Sequence, residues 1–105
     1  MVNVKGAVRY TSKSTYKGVT RHAKSGMFEA HAWLSGDRKR GTQRYLGHFR
    51  NEVDAARAHD IACIKAGDRK ETRLNFSIDD YGEIMHSLRG LDFDDVVRRL
   101  KKVRF

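Results

Sequence analysis

The sequence predicts an α+β fold: a three-stranded antiparallel sheet packed against one α-helix, with a C-terminal helical tail. Three observations carry this. Strand-like runs follow one another through residues 16–49, separated by short turns or polar loops. An alanine-rich stretch with helical spacing comes next, bounded by an asparagine and a glycine, and two shorter amphipathic patterns close the chain. Short connections between consecutive strands favour an antiparallel meander, because parallel neighbours need long crossovers.

Residues 1–14 hold Lys, Ser, Thr and Gly without clear periodicity and are read as a flexible basic arm. The first strand run is Tyr16-Lys17-Gly18-Val19-Thr20-Arg21-His22. Ala23-Lys24-Ser25-Gly26 then makes a turn, with Gly26 able to take positive φ. The second run, Met27 to Trp33, alternates: Phe28, Ala30 and Ala32 point one way, Met27, Glu29, His31 and Trp33 the other. Leu34 to Thr42 is a polar hairpin loop carrying Arg38-Lys39-Arg40. In the third run, Gln43 to Phe49, Gln43 and Tyr45 share a face while Leu46 and Phe49 reach the core. Arg44 falls on an inward position, where its stem packs and its charge escapes at the sheet edge.

Asn51 is a good N-cap, and Glu52 and Asp54 follow in the first turn, where the helix dipole favours them. The helix runs over Glu52–Ala66 and stops at Gly67. Its stripe of Ala55, Ala58, Ala62 and Ala66, flanked by Val53, Ile61 and Cys63, is too small to make a core alone. What it permits is close approach to a sheet whose inward residues, such as Phe28 and Leu46, fill the gap. Arg69 to Phe76 reads as an extended return anchored by Leu74 and Phe76. In the tail, Asp79–Leu88 and Asp92–Lys102 read as helices broken at Gly90, the second carrying Phe93, Val96, Val97 and Leu100. Its end, Arg98, Arg99, Lys101, Lys102 and Arg104, suits a helix C-terminus, with a nuclear-import signal as the alternative. The organisation is therefore an arm at 1–14, a central domain at 15–77 and a helical tail or linker at 78–105.

At 105 residues this is one domain, polar on average with a mean hydropathy of -0.71. No apolar stretch is long enough to span a membrane, and the N-terminus lacks the apolar block of a secretory signal, so an intracellular location is expected. Cys63 has no partner for an intramolecular disulfide and reads as a small buried hydrophobe. No Ser/His/Asp arrangement or phosphate-cradling Gly-Lys loop appears, and five scattered histidines with one cysteine make a poor zinc set. An enzyme, a bound metal or a cofactor is not expected. The net charge of +9 is informative in its placement. Residues 1–50 hold 11 Lys/Arg against Glu29 and Asp37, whereas residues 51–105 hold 11 of each sign. Segregation of this kind suits a polyanion, whose condensed counterions are released when Lys and Arg meet phosphates.

A ribbon of strands fits the major groove of DNA, where each base pair shows a distinct donor and acceptor pattern. The outward positions Glu29, His31, Trp33, Gln43 and Tyr45 supply such groups: Gln pairs with adenine and Glu accepts from cytosine. Trp33 and Tyr45, left exposed, gain a purpose by stacking on sugars or thymine methyls. Arg38 and Arg40 are placed as phosphate contacts, against the reading of a merely solvated hairpin tip. RNA remains an alternative partner, but single-strand RNA platforms usually present several aromatics, and this face offers two among polar neighbours.

The blocks Tyr16-Lys17-Gly18-Val19-Thr20-Arg21-His22, Phe28-Glu29-Ala30-His31, Tyr45-Leu46-Gly47, Ala55-Ala56-Arg57-Ala58-His59-Asp60-Ile61-Ala62 and Asn75-Phe76 resemble, in order and spacing, the AP2/ERF DNA-binding domain over about residues 15–77. The resemblance implies a three-stranded antiparallel sheet backed by one helix, with the sheet in the major groove. Members are chiefly plant transcription factors, with relatives in algae, other protists and mobile endonucleases. It therefore implies a sequence-specific double-stranded DNA-binding module of a nuclear transcription factor; an accessory domain of a mobile-element endonuclease is the alternative. The YKGVTRH opening, the Phe-Glu-Ala-His-Ala-Trp strand and Gln43 before the Tyr45 strand look closer to the AP2-type than to the ERF-type. The segment Leu91 to Leu100 is similar to the linker between paired AP2 repeats, implying a second repeat or a protein partner met through the tail.

Carried over position by position, the family's groove-facing sites fall at Lys17, Thr20, His22, Lys24, His31, Trp33, Gln43 and Tyr45. Phosphate contacts fall at Gly18, Arg21, His48 and His59, with packing or capping the competing role for His59. Thr20, His22, Trp33 and Gln43 stand where arginines are common in ERF-type members. Arg pairing to guanine is the commonest specific contact, so a GC-rich target is not expected.

Overall fold

The computed structural model describes residues 11–34, 42–67 and 70–102. The fold class is α+β as expected, but the antiparallel sheet has four strands in the order β1-β2-β3-β4 rather than three. These are β1 (Thr11–Lys13), β2 (Val19–His22), β3 (Phe28–Leu34) and β4 (Thr42–Phe49). The added strand β1 falls in the stretch read as a flexible arm. It pairs with β2 through Thr11–His22, Ser12–Arg21 and Lys13–Thr20. Three residues are too few for alternation to register in the sequence.

The first run is shorter than expected, because the strand begins at Val19 and residues 15–18 form a turn. Gly18 takes φ 74, and the backbone N–H of Lys17 donates to Oδ1 of Asn75 at 2.7 Å, so the chain is pinned to the return segment before it enters the sheet. Tyr16 packs on Phe76 with ring centres 5.6 Å apart.

Helix α1 (Glu52–Lys65) starts where Oδ1 of Asn51 accepts from the Val53 N–H at 2.8 Å. It ends before Gly67, whose φ of 97 turns the chain away. Ala55, Ala58 and Ala62 are fully buried, letting α1 lie close on β3 and β4 against Ala30, Ala32 and Leu46. Ala66 lies outside this stripe and is exposed. The helix also buries Ala56, Ile61 and Ile64, so it is enclosed on more than its sheet side.

The return segment contains a 3-10 turn at Glu71–Arg73 instead of running extended throughout, with Leu74 buried as expected. A second 3-10 turn at Ile78–Tyr81 leads into α2 (Gly82–Ser87), and α3 (Phe93–Leu100) follows, capped by Asp92 Oδ1 on the Asp95 N–H at 2.8 Å. Val96, Val97 and Leu100 join Ile61, Ile64, Tyr81 and Leu46 in one hydrophobic cluster. Burial of such aliphatic side chains stabilises by about 1.5–3 kcal/mol each. Arg44 behaves as read: its guanidinium leaves the sheet, pairing with Asp94 at 2.7 Å and lying 5.5 Å from the Phe93 ring centre.

A buried carboxylate joins helix, return and tail. Asp60, with 0% of its surface exposed, accepts from the backbone N–H groups of Asn75 and Phe76, each at 2.9 Å. It also accepts from Nδ2 of Asn75 at 3.2 Å and the Tyr81 hydroxyl at 2.6 Å. Desolvation, and then the bond to Asp60, push the Tyr81 phenol well above its ordinary range.

Candidate nucleic-acid interface

The face of the sheet opposite α1 is assembled by register. Directly opposed residues in antiparallel strands share a face, so Lys13–Thr20, Thr20–Glu29 and Glu29–His48 make one row across all four strands. Two further rows, His31–Tyr45 and Trp33–Gln43, continue it along β3 and β4. Between Glu29 and His31 the register shifts, so that Leu46 and Gly47 together oppose Ala30. Gly47 absorbs the extra residue with φ 110. The bulge has a consequence for the face: Tyr45 and His48, three positions apart, both point outward while Leu46 stays in the core. The Tyr45 hydroxyl and Nδ1 of His48 are 2.7 Å apart.

Trp33 is 54% exposed and Tyr45 39%, the large hydrophobic side chains left open among the described residues. His31 is tucked beside them, its ring centre 5.6 Å from that of Tyr45 and its Nε2 3.4 Å from Oε1 of Glu29. Burial, and then the neighbouring Glu29 carboxylate, raise the Tyr45 phenol above its usual range, which keeps it a neutral donor. A cleft of ≈ 520 Å³ opens beside the Trp33 end, with Lys13, Thr20, His31, Trp33 and Gln43 among its walls.

Thus Thr20, Glu29, His31, Trp33, Gln43, Tyr45 and His48 are brought together on one surface. His22 alternates with Arg21 and shares the side of Thr20, while Lys24 is exposed in the β2–β3 turn. Arg21 is exposed but alternates to the side of Val19, away from this face. Lys17 lies in the turn before β2, and its Nζ donates to the Leu74 carbonyl at 3.1 Å, so its ammonium is held against the return segment. Arg38 and Arg40 lie outside the described residues.

His59 and Gly18 belong to the interior side of the structure. His59 is 7% exposed; its Nδ1 is 2.8 Å from the His31 carbonyl oxygen and its Nε2 3.1 Å from that of Arg73. Both ring nitrogens are occupied by backbone, so the packing role fits this geometry and the phosphate role does not. Gly18 accepts from the His31 N–H at 2.8 Å, and a Cβ there would stand 2.5 Å from the His31 carbonyl oxygen and collide with the His59 ring. Lys13 was not expected at the interface at all. Its place next to Thr20 follows from β1, whose short Thr-Ser-Lys run carries little signal.

No protein-family model matches the chain. Among curated proteins it is similar to AP2-like ethylene-responsive transcription factors. One from Arabidopsis thaliana is 37% identical over 94 residues, covering 85% of this chain and 31% of the relative. The ANT protein of the same plant is 35% identical over 94 residues, 85% of this chain and 17% of its own length. The CRL5 protein of Oryza sativa subsp. japonica is 35% identical over 91 residues, 85% of this chain and 14% of its own. The chain thus spans less than a third of the length of these relatives.

Proposed function

This chain carries an AP2/ERF domain, and on that footing we propose that it is the sequence-specific double-stranded DNA-binding module of a nuclear transcription factor, with the outer face of its sheet in the major groove. The observation that carries the reading is the outer face itself. Hydrogen-bonding side chains stand at alternate positions of adjacent strands, Thr20, Glu29, His31 and Gln43 among them, with Trp33 and Tyr45 exposed between them. A polar face of this kind matches base edges, while the excess of positive charge in residues 1–50 supplies the phosphate attraction.

In this reading Gln43 offers the bidentate pair that suits adenine, and Glu29, the lone carboxylate among those seven face residues, accepts from a cytosine amino group. Trp33 stacks on sugars or thymine methyls. Lys13 and Lys24 lie around the face and take phosphates; the same role is assigned to Arg38 and Arg40 from the sequence. The AP2-type character of the opening block belongs to the same proposal, as does a second repeat or protein partner met through the tail.

Selection from a random double-stranded DNA library with the purified chain tests the proposal. The expected outcome is one enriched motif that is not GC-rich throughout. A pool without a motif, or stronger capture of RNA than of the enriched duplex, would count against it.

A further inference from the structure

We infer that the C-terminal end of α3 adds a phosphate-binding element to the interface: Arg50, Lys101 and Lys102, gathered around a cleft at the edge of β4, hold a backbone phosphodiester of the duplex lying on the sheet. The inference rests on the DNA-binding reading above and extends it to a part of the chain outside the strands.

The tail reaches the sheet at one particular place. Helix α3 packs on both α1 and β4, and its buried Val96, Val97 and Leu100 hold it there. Immediately after it, the Cα of Lys101 stands 3.2 Å from where a Cβ on Gly47 would sit. The bulge glycine therefore also gives the tail room to close on β4. From that position Lys101 extends along the strand edge, placing its Nζ 5.5 Å from the centre of the Tyr45 ring. Tyr45 lies on the outer face, so the Lys101 ammonium has been carried from the helix side of the molecule to the margin of the base-reading surface.

A cleft of ≈ 520 Å³ opens there, with His48, Arg50, Asn51, Asp54, Lys101 and Lys102 among its walls. Three cations share the cleft with the single carboxylate of Asp54, which leaves an excess of positive charge to meet a phosphodiester. Among the described residues neither Arg50 nor Lys102 is drawn into an ion pair, whereas Arg44 and Arg98 are bound to Asp94 and Asp95. The C-terminus of α3 is already served by Arg98 and Arg99 in its last turn. His48 belongs to both surfaces, to the cleft by its position and to the reading face by its bond to Tyr45. A duplex on the sheet would cross the β4 edge at this point, bringing one strand's backbone over the cleft.

The test uses the full chain and the duplex enriched by selection. The salt dependence of binding is measured for the wild type, for Lys101→Gln/Lys102→Gln, for Lys101→Arg/Lys102→Arg and for Arg50→Gln, with circular dichroism to confirm folding. Losing one phosphate contact is expected to reduce the log–log slope by about one, so the double Gln variant, which removes two of the three cations on that phosphodiester, loses about one and Arg50→Gln a smaller part of it. The Arg pair keeps the wild-type slope, and the preferred sequence is the same in all four proteins. Shortening the duplex from one end is expected to weaken wild-type binding to the level of the Gln variant, which that shortening leaves unchanged. Tight wild-type binding with an unaltered slope in both Gln variants would overturn the phosphate element alone. Failure of the wild type to bind any duplex would overturn both readings.

Discussion

Gly18 and His59 compete for one volume: any side chain at position 18 would enter the space of the His59 imidazole, whose Nδ1 is held 2.8 Å from the His31 carbonyl oxygen. The turn before β2, the central strand β3 and helix α1 meet at this point. Substitution Gly18→Ala combines this collision with a φ of 74, and it is expected to destabilise the fold by at least about 2 kcal/mol in urea titration. His59→Ala removes the obstacle as well as the ring's contacts with two backbone carbonyls. The double variant is therefore expected to be clearly more stable than the sum of the two losses implies. Strict additivity would show that the two residues do not share that space.

Asp60 is expected to be the costliest single polar residue to remove. Its carboxylate terminates two backbone N–H groups, the Asn75 amide and the Tyr81 hydroxyl in the interior. Asp60→Ala leaves those donors without an acceptor, and a loss of about 3–5 kcal/mol is expected. A loss under about 1 kcal/mol by urea titration would contradict the role assigned to this hub.

The same contact predicts alkaline sensitivity. An unfolded tyrosine titrates near its ordinary value of 10.0, whereas Tyr81 in the native state is raised by burial and by Asp60. The native state therefore retains a proton that the unfolded chain releases. The stabilisation is fully present below about pH 10 and is lost as pH climbs above it, at up to about 1.4 kcal/mol per unit. Tyr81→Phe is expected to flatten this part of the stability profile relative to wild type. Identical profiles above pH 10 would contradict the assignment.

Because α3 contributes to the common core, the tail is expected to be needed for stability and not only for connection. Leu100→Ala is expected to lower stability by about 2–4 kcal/mol, and removal of residues 91–105 to lower it further, as measured by thermal unfolding. An unchanged melting curve on removing the tail would show that α3 docks without contributing.

On the outer face, Trp33→Ala and Gln43→Ala are expected to weaken binding to the selected duplex by about 1–3 kcal/mol each, with a smaller loss on random DNA. Competition titrations measure both. Equal losses on the two substrates would make these residues general contacts and not readers.

Much of this was legible in the residues. The alternation Phe28 to Trp33 divided β3 into the two faces that the structure shows, and Asn51 and Gly67 marked the limits of α1. Other features depend on distant partners. Strand β1 gains its structure by pairing with β2, since Thr11–Lys13 has no pattern of its own. The bulge at Gly47 that aligns Tyr45 with His48 depends on its register against β3. His59 looks the same in sequence whether it faces a phosphate or two backbone carbonyls, and only the fold decides. Ile61 suggested a flank of the alanine stripe, but the folded tail makes it, with Ile64, part of a second buried side.

The central claim is that the sheet face reads base edges in the major groove. Replacing purines in the selected duplex by 7-deazapurines removes the N7 acceptor from that groove alone, whereas 3-deazaadenine removes an acceptor from the minor groove. The most direct measurement is the affinity of the wild-type chain for these two duplexes against the unmodified one. The account predicts a loss of about tenfold or more with 7-deazapurine at contacted positions and near-native binding with 3-deazaadenine. The reverse pattern, or indifference to both, would contradict it.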